Sequence, residues 1–266
     1  MKAHPPGLYR HMLAQNCELA DVISRDIART FPTFLMFRDE MGSSGGDGEE
    51  VSGSSSGRQS LYNVLKAYAN FDPQVGYCQG MGFIVGLFLM YMSEEESFWM
   101  LERVMRSDKF LMHGLYAIGF PLLHQYFYQF DQLLNMVAPK LHEHLAVNDI
   151  SPSLYATQWF ITVFSYNMPF ELVLRIWDIF LYEGPKIPFR FALSFMLRYD
   201  EQIRQGDLEG IITTLKEIHT DSAMDDVDEV VERAMRVKLT RRQLSELAHE
   251  YDQQQLHNKM AAKGRQ

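Results

Sequence analysis

The chain has 266 residues, of which 47% are apolar and 22% charged, and its 18 Phe, 13 Tyr and 16 Met can fill a large core. This composition excludes a wholly disordered chain, a collagen and a disulfide miniprotein, and the two cysteines predict a reducing compartment. The net charge of −9 argues against a nucleic-acid partner, because such proteins carry a basic surplus.

Apolar residues recur at helical spacing along most of the chain. Residues three and four positions apart share one face of a helix, so each such stripe predicts an amphipathic helix. The clearest stripes are Leu61-Val64-Leu65-Tyr68-Ala69, Val173-Ile176-Trp177-Phe180-Leu181 and Val227-Val230-Val231-Ala234-Met235. Long windows of strict alternation are absent, and the pattern predicts an all-α fold of roughly a dozen helices.

The first informative helix lies near residues 19–29. Its predicted apolar face consists of Leu19, Val22, Ile23 and Ile27. Asp26 and Arg29 are i, i+3 neighbours in its last turns, and Pro32 ends it. Taken alone, Asp26 and Arg29 fit an ordinary surface ion pair. The alternative is an arginine that projects past the helix exit to act on a partner.

Residues 42–57 contain six Gly and six Ser. Such a segment has little to bury, so we predict a flexible surface insertion that acts as a passive tether. The residues after it cannot form a core without those before it, so it is not a domain boundary.

The stretch Gly76-Tyr77-Cys78-Gln79-Gly80-Met81-Gly82 leads into the longest apolar run, Gly80 to Met92. A bilayer span needs about 20 apolar residues, so this shorter run predicts a buried helix and no transmembrane segment. Cys78 fits a small buried residue. Because a buried amide needs partners, Gln79 either caps the local backbone or points outward for a purpose.

The second half offers helix starts and large aromatic residues. Ser93 with Glu96 and Thr240 with Gln243 predict capping boxes, and Ser151-Pro152 predicts a helix start. The aromatic residues expected in this core are Trp159, Phe160, Phe164, Trp177 and Phe180. From residue 241 to 266 the chain is polar, and we predict a helical tail that frays at its end.

Known cradles for cofactors are missing from the sequence. No Gly-x-x-x-x-Gly-Lys-Ser/Thr loop occurs, and Gly80-Met-Gly-Phe-Ile-Val-Gly86 lacks the spacing and the preceding strand of a dinucleotide fingerprint. His142 and His144 are i, i+2 and therefore point to different helix faces, which does not suit a zinc pair. We predict that the chain itself holds no cofactor and no metal.

Several short motifs, taken together and in order, resemble the TBC domain of Rab GTPase-activating proteins. They are Ile23-x-x-Asp26-x-x-Arg29-Thr-Phe-Pro32, Leu61-Tyr-Asn-Val-Leu-Lys-Ala-Tyr68, Gly76-Tyr-Cys-Gln-Gly-Met81, Ser151-Pro152 with Trp159-Phe160, and Arg175-Ile-Trp-Asp178 with Glu183-Gly184. The match runs from about residue 8 to about residue 235. The family's Arg-x-x-x-Trp helix has no counterpart among the 22 residues before Ile23, and the Gly/Ser segment is longer than the family carries.

The resemblance implies a two-lobed helical fold that grips a GTP-bound Rab protein. It assigns Arg29 as an arginine finger and Gln79 as a glutamine finger, both acting in trans, with Asp26 and Tyr77 in support. The chain would then be a GTPase activator without a reaction of its own, because the partner carries the GTP and the magnesium. A cytoplasmic protein is implied, recruited to endomembranes through its partner.

The predicted organisation is a single domain over residues 1–240, followed by the tail. Two other readings stay open. One is a TBC scaffold that binds a Rab without accelerating hydrolysis, which the loss of Arg29 or Gln79 would favour. The other is a plain helical scaffold that binds other helices, which a failure to bind any GTP-loaded Rab would favour.

Overall fold

The stripes of the sequence form helices in the structure, a computed structural model that describes residues 5–37, 57–221 and 226–263. These ranges hold fourteen α-helices, four short 3-10 helices and no strand, so the all-α prediction is confirmed. Several of the additional helices have only five to seven residues, which is too short to leave a stripe in the sequence.

The chain divides into an N-terminal unit, Met1–Ile118, and a C-terminal unit, Gly119–Gln266. The N-terminal unit contains α1 (Leu8–Ala14), α2 (Ala20–Ile27), α3 (Gly57–Phe71), α4 (Met81–Leu89) and α5 (Glu94–Arg106), with 3-10 helices at Leu35–Phe37 and Met112–Leu115. The C-terminal unit contains α6 (Pro121–Val137), α7 (Pro139–Val147), α8 (Thr157–Ile161), α9 (Phe170–Glu183), α10 (Lys186–Arg198), α11 (Asp200–Gln205), α12 (Leu208–Glu217), α13 (Val227–Arg236) and α14 (Arg241–Lys263), with 3-10 helices at Pro152–Leu154 and Ile218–Thr220.

Helix α3 lies at the centre of the N-terminal unit. Its predicted stripe is buried, and the helix packs against α1, α2, α4 and α5. At one end of it an aromatic cluster surrounds Phe98, whose ring centroid lies 5.4 Å from Tyr9, 5.5 Å from Phe71 and 4.8 Å from Trp99. Large rings bury the most apolar area per residue, so this cluster contributes strongly to the stability of the unit.

Helix α4 is buried along its whole length, as the apolar run predicts. It packs against α3 and α5, and so it fixes the C-terminal end of the loop that precedes it. Among the described helices none is both long enough and apolar enough to cross a bilayer.

Aromatic residues also dominate the core of the C-terminal unit. The five that the sequence predicts are each at most 3% exposed, so that prediction is confirmed. Phe160 lies 5.6 Å from Tyr126, 5.6 Å from Phe130 and 5.0 Å from Phe189 between ring centroids. These contacts join α8 to α6 and α10.

Two of the three predicted helix starts are capped as expected. Ser93 and Glu96 form a complete capping box at α5, and Thr240 with Gln243 exchange hydrogen bonds of 2.9 and 3.2 Å at the start of α14. Ser151-Pro152 begins a 3-10 turn rather than the predicted α-helix. The Ser151 hydroxyl pairs with Ser153 at 2.8 Å and does not cap the backbone.

The predicted insertion at residues 42–57 lies outside the described residues except for Gly57. This glycine is buried and begins α3, which corrects the predicted boundary by one residue. A Cβ at Gly57 would overlap the backbone carbonyl of Met36, so a side chain does not fit there. The passive-tether interpretation of residues 42–56 stays a prediction.

The polar tail is one helix, α14, over its described length. Leu244 and Leu247 are buried, and α14 packs against α6, where the Gln129 side-chain amide donates to the Leu244 carbonyl at 2.7 Å. The abundance of Gln in this segment hides this short apolar face. The end of the tail, residues 264–266, lies outside the described residues.

Candidate functional site

The arginine of the first motif lies just beyond α2. Ile23 and Ile27 are buried and fix the helix, whereas Val22, predicted on the same face, is 40% exposed because it faces away from the core. The Arg29 amide donates to the Asp26 carbonyl at 3.2 Å and closes a tight last turn. The Arg29 side chain is 62% exposed, so its guanidinium is accessible to a partner.

A buried carboxylate, that of Asp26, connects the two sequence motifs. The Asp26 side chain accepts hydrogen bonds from Arg29 through Nε at 2.8 Å and through Nη2. It also accepts one from the Tyr77 hydroxyl at 2.6 Å. Burial, and then this bond to Asp26, raise the pKa of Tyr77, so the phenol stays protonated and donates. Arg29 and the loop of Gln79 are therefore held by one side chain.

Gln79 lies in the loop between α3 and α4. Gly76 (φ 59°) and Gly80 (φ 107°) adopt left-handed conformations on either side of it, which residues with a Cβ rarely adopt. The Gln79 side chain is exposed and makes no hydrogen bond within the described ranges, so it does not cap α4. Of the two local readings, the outward-pointing one matches this geometry.

Cys78 is half-buried between Tyr77 and Gln79, whereas the sequence suggested full burial. Burial, followed by the nearby Asp26 charge, raises the pKa of the Cys78 thiol. The thiol is therefore protonated at neutral pH and is a poor nucleophile.

Two glycines of α4 let the motif segments approach each other. A Cβ on Gly82 would lie 2.9 Å from the Thr30 hydroxyl, and one on Gly86 would lie 2.8 Å from the Phe31 ring. Phe31 itself has a positive φ of 46°, and its ring packs on Phe83 at 5.3 Å. The turn after Arg29 is thus pressed onto α4 without room for further atoms.

Sequence reasoning missed two residues that build this site. Thr30 is buried, and its hydroxyl donates to the Asp26 carbonyl at 3.0 Å, which stabilises the turn that presents Arg29. Asp72 is 5% exposed at the start of the loop that carries Gln79. An acidic residue directly before Pro73 was a signal of a turn, but nothing in the sequence indicated its burial.

The motif of α9 is divided between core and surface. Trp177 is buried, whereas Arg175 and Asp178 lie on the exposed side of the helix, where Arg175 pairs with Asp228 at 2.8 Å. Within residues 5–37, 57–221 and 226–263, no group of three His, Cys, Asp or Glu side chains could hold a metal ion.

Comparison with known families decides the identity of the fold. The model of the Rab-GTPase-TBC domain matches residues 8–204 of this chain. The chain belongs to this family. Both motif segments, and α3 and α4 between them, lie inside the matched range of the TBC domain.

Curated relatives of the TBC domain are longer proteins. The human ecotropic viral integration site 5 protein homolog is 32% identical over 91% of this chain, and mouse TBC1 domain family member 4 is 34% identical over 90%. The Caenorhabditis elegans Rab GTPase-activating protein tbc-11 is 34% identical over 77%. The chain spans 28%, 17% and 20% of these three relatives, respectively.

Solved structures agree with the architecture of the TBC domain. The Chlamydomonas flagellar RabGAP TBC domain superposes with a TM-score of 0.69 and 28% identity, covering 87% of this chain and 72% of that one. The Ypt/Rab-GAP domain of Gyp1p superposes with a TM-score of 0.67 over 86% of this chain and 76% of that one. At 18% identity this second match supports the fold alone.

Proposed function

We propose that this TBC domain stimulates GTP hydrolysis by a Rab-family GTPase, with Arg29 and Gln79 acting in trans. The observation that carries the proposal is the Asp26 carboxylate, which bonds both Arg29 and Tyr77 beside an exposed Gln79. A cationic fork and a free amide are thereby presented on neighbouring segments. The relative tbc-11 is a Rab GTPase-activating protein by name, which supports the choice of partner.

The chemistry of GTP hydrolysis explains why these two groups suffice. Negative charge spreads over the phosphate oxygens in the transition state, and a guanidinium inserted by an activator accelerates the reaction by roughly 10³ to 10⁵. The attacking water must also be oriented, and a side-chain amide can accept a hydrogen bond from this water while it donates one to a phosphate oxygen. In this proposal the partner holds the GTP and the Mg²⁺, and the chain contributes only Arg29 and Gln79.

The alternative is a TBC scaffold that binds a Rab without stimulating it. Such a scaffold has no need for an exposed arginine, braced by a buried carboxylate, beside an exposed amide. These two exposed groups therefore favour the activator. In this proposal the protein is cytoplasmic and is recruited to endomembranes through its GTPase partner.

The decisive experiment is a screen of GTP-loaded Rab proteins for stimulated phosphate release. Arg29→Lys should keep the charge and the fold but lower the stimulated rate about a hundredfold or more, because an ammonium cannot bridge two phosphate oxygens. Arg204→Lys is the matched control, since Arg204 makes a similar ion pair with Asp200 through Nε at 2.6 Å. Equal rates for Arg29→Lys and the unmodified protein would remove Arg29 from the mechanism.

The role of Gln79 has its own test on the partner's side. If Gln79 orients the water, a Rab that lacks its own switch glutamine should still respond to this protein. Gln79→Ala should abolish that response, whereas Gln74→Ala, an exposed glutamine in the same loop, should not. Good stimulation of the normal Rab without any stimulation of the glutamine-less Rab would exclude Gln79. Binding of GTP-loaded Rab without stimulation would favour the scaffold.

A further inference from the structure

The loop that carries Gln79 is bonded to Asp26 near its end, through Tyr77, and it begins at a second buried carboxylate, that of Asp72. Asp72 directly follows α3 and opens the next turn, because its backbone carbonyl accepts from the amides of Val75 at 3.1 Å and Gly76 at 2.7 Å. Its carboxylate lies 3.4 Å from the Tyr68 hydroxyl and 3.5 Å from His113 Nε2. The first half of the loop is therefore folded around one residue.

A carboxylate that is 5% exposed needs partners, because an uncompensated buried charge is strongly unfavourable. Burial, and then Asp72 itself, raise the pKa of Tyr68, so this phenol stays neutral and can supply only a hydrogen bond. Glu102 and Arg106 of α5 also act electrostatically on Tyr68. His113, with a side chain 30% exposed, is the group that brings a ring nitrogen to the Asp72 carboxylate itself.

The segment that contains His113 is itself fixed within the N-terminal unit. Tyr116 follows three residues later and is buried, which anchors the segment in the core of the unit. The 3-10 helix Met112–Leu115 packs on α5, which fixes the position of this segment. The segment therefore holds His113 in a fixed position beside Asp72, at the start of the loop.

We infer that Asp72 and His113 form a clasp that positions Gln79. The inference rests on the proposed function, in which Gln79 orients the attacking water. Tyr77 ties the loop to α2 through Asp26, and the clasp ties it to the segment 112–116. Both ties are needed because the loop contains two left-handed glycines, which resist other conformations least. Asp72 and His113 act through the loop and do not touch the partner's nucleotide.

The test uses His113→Ala, with His142→Ala as the matched control. His142 makes the same kind of pair with Asp131, at 3.1 Å, in the C-terminal unit. The first readout is hydrogen exchange at the amides of Val75 and Gly76, which does not depend on any activity. We expect His113→Ala to speed this exchange at least about tenfold, and His142→Ala to leave it unchanged.

The second readout is stimulated hydrolysis by a responsive Rab. His113→Ala should lower kcat about tenfold with little change in KM, because a misplaced water-orienting group costs rate while the binding surface is kept. His113→Gln, which keeps an N–H donor, should restore most of the rate. It also keeps the test valid if His113→Ala fails to fold.

The outcomes separate the clasp from the proposed function. Unchanged exchange at Val75 and Gly76 in His113→Ala would overturn the clasp, whatever the activity. Faster exchange with an unchanged kcat would leave the clasp as a structural tie and overturn its role in positioning Gln79. If no Rab responds to the unmodified protein, the proposed function fails and the positioning role fails with it, and the exchange data then decide only the clasp itself.

Discussion

The Asp26 side chain is only 9% exposed, and its carboxylate accepts three hydrogen bonds, two from Arg29 and one from Tyr77. A hydrogen bond to a charged group contributes more to stability than one between neutral groups. Each donor also restrains the segment that carries it. At the scale of single residues, Asp26 therefore couples the stability of the N-terminal unit to the geometry of its candidate site.

Removal of one donor tests this coupling. Tyr77→Phe should lower the free energy of unfolding by about 1.5 to 3 kcal/mol, because the Asp26 carboxylate loses a hydrogen bond in a buried place. Urea unfolding at neutral pH measures the change. Tyr91→Phe is the control, because Tyr91 is 65% exposed. A loss no larger than that of the control would mean that water replaces the phenol.

At the scale of elements, the junction between α4 and the turn after α2 has no spare volume. Gly82→Ala should lower the free energy of unfolding by about 1 to 3 kcal/mol, because the new Cβ would meet the buried Thr30 hydroxyl at 2.9 Å. Thr30→Ala removes that hydroxyl, so the double variant should lose less than the sum of the two single changes. Strictly additive losses in thermal and urea unfolding would show that this contact does not set the packing.

Helix α9 offers a contrast between a buried and an exposed ring on one element. Trp177 is 3% exposed and packs on Phe180 at 5.3 Å, whereas Tyr182 is 81% exposed. Trp177→Ala should lower the free energy of unfolding of the C-terminal unit by about 3 to 5 kcal/mol. Tyr182→Ala should change it by less than about 0.5 kcal/mol. An unchanged melting temperature for Trp177→Ala, with lost activity, would make this tryptophan a partner contact instead.

Elements with strong periodicity were predictable from the sequence. The stripes of α3, α9 and α13 and the apolar run of α4 arise from local spacing, and each forms a helix near the expected residues. The two capping boxes were predictable for the same reason, since a cap involves residues three apart. Helices of five to seven residues were not, because they span less than two turns.

Contacts between residues far apart in the chain could not be predicted from the sequence. Tyr77 meets Asp26 across 51 positions, and His113 meets Asp72 across 41, and no periodicity links either pair. The family motif drew attention to Arg29, Asp26, Tyr77 and Gln79, but the hydrogen bond from Tyr77 to Asp26 needed coordinates. Val22 shows the opposite error, since a helical stripe does not say how wide the buried face is.

At the scale of the whole molecule, buried tyrosines link both units to alkaline pH. Burial raises the pKa of Tyr68 and Tyr116 in the N-terminal unit and of Tyr126 in the C-terminal unit above the ordinary value of 10.0. The folded chain therefore keeps these protons at a pH at which the unfolded chain releases them. Because the unfolded state binds fewer protons there, stability is present below pH 10 and is lost as the pH rises.

This linkage gives a measurable slope. Each such tyrosine should lower the free energy of unfolding by about 1.4 kcal/mol for each pH unit above about pH 10. Urea unfolding between about pH 9 and pH 11, with tyrosinate absorbance as a second signal, measures it. Tyr126→Phe should flatten the slope of the C-terminal unit, and Tyr182→Phe should not. Equal slopes for these two variants would show that Tyr126 ionises without unfolding.

The ion pair between Arg29 and Asp26 determines when the entropic cost of fixing the Arg29 side chain arises. A free arginine samples many rotamers, and fixing one costs up to about 2 kcal/mol of side-chain entropy. Here the Asp26 carboxylate already restricts the guanidinium before any partner arrives, so part of that cost is met when the chain folds. If Arg29 acts on a partner as proposed, that part of the entropic cost does not arise again on binding. The carboxylate that restrains Arg29 also partly neutralises its charge. The rate at which an anionic partner associates with this surface should therefore depend less on ionic strength than it would with an unpaired arginine.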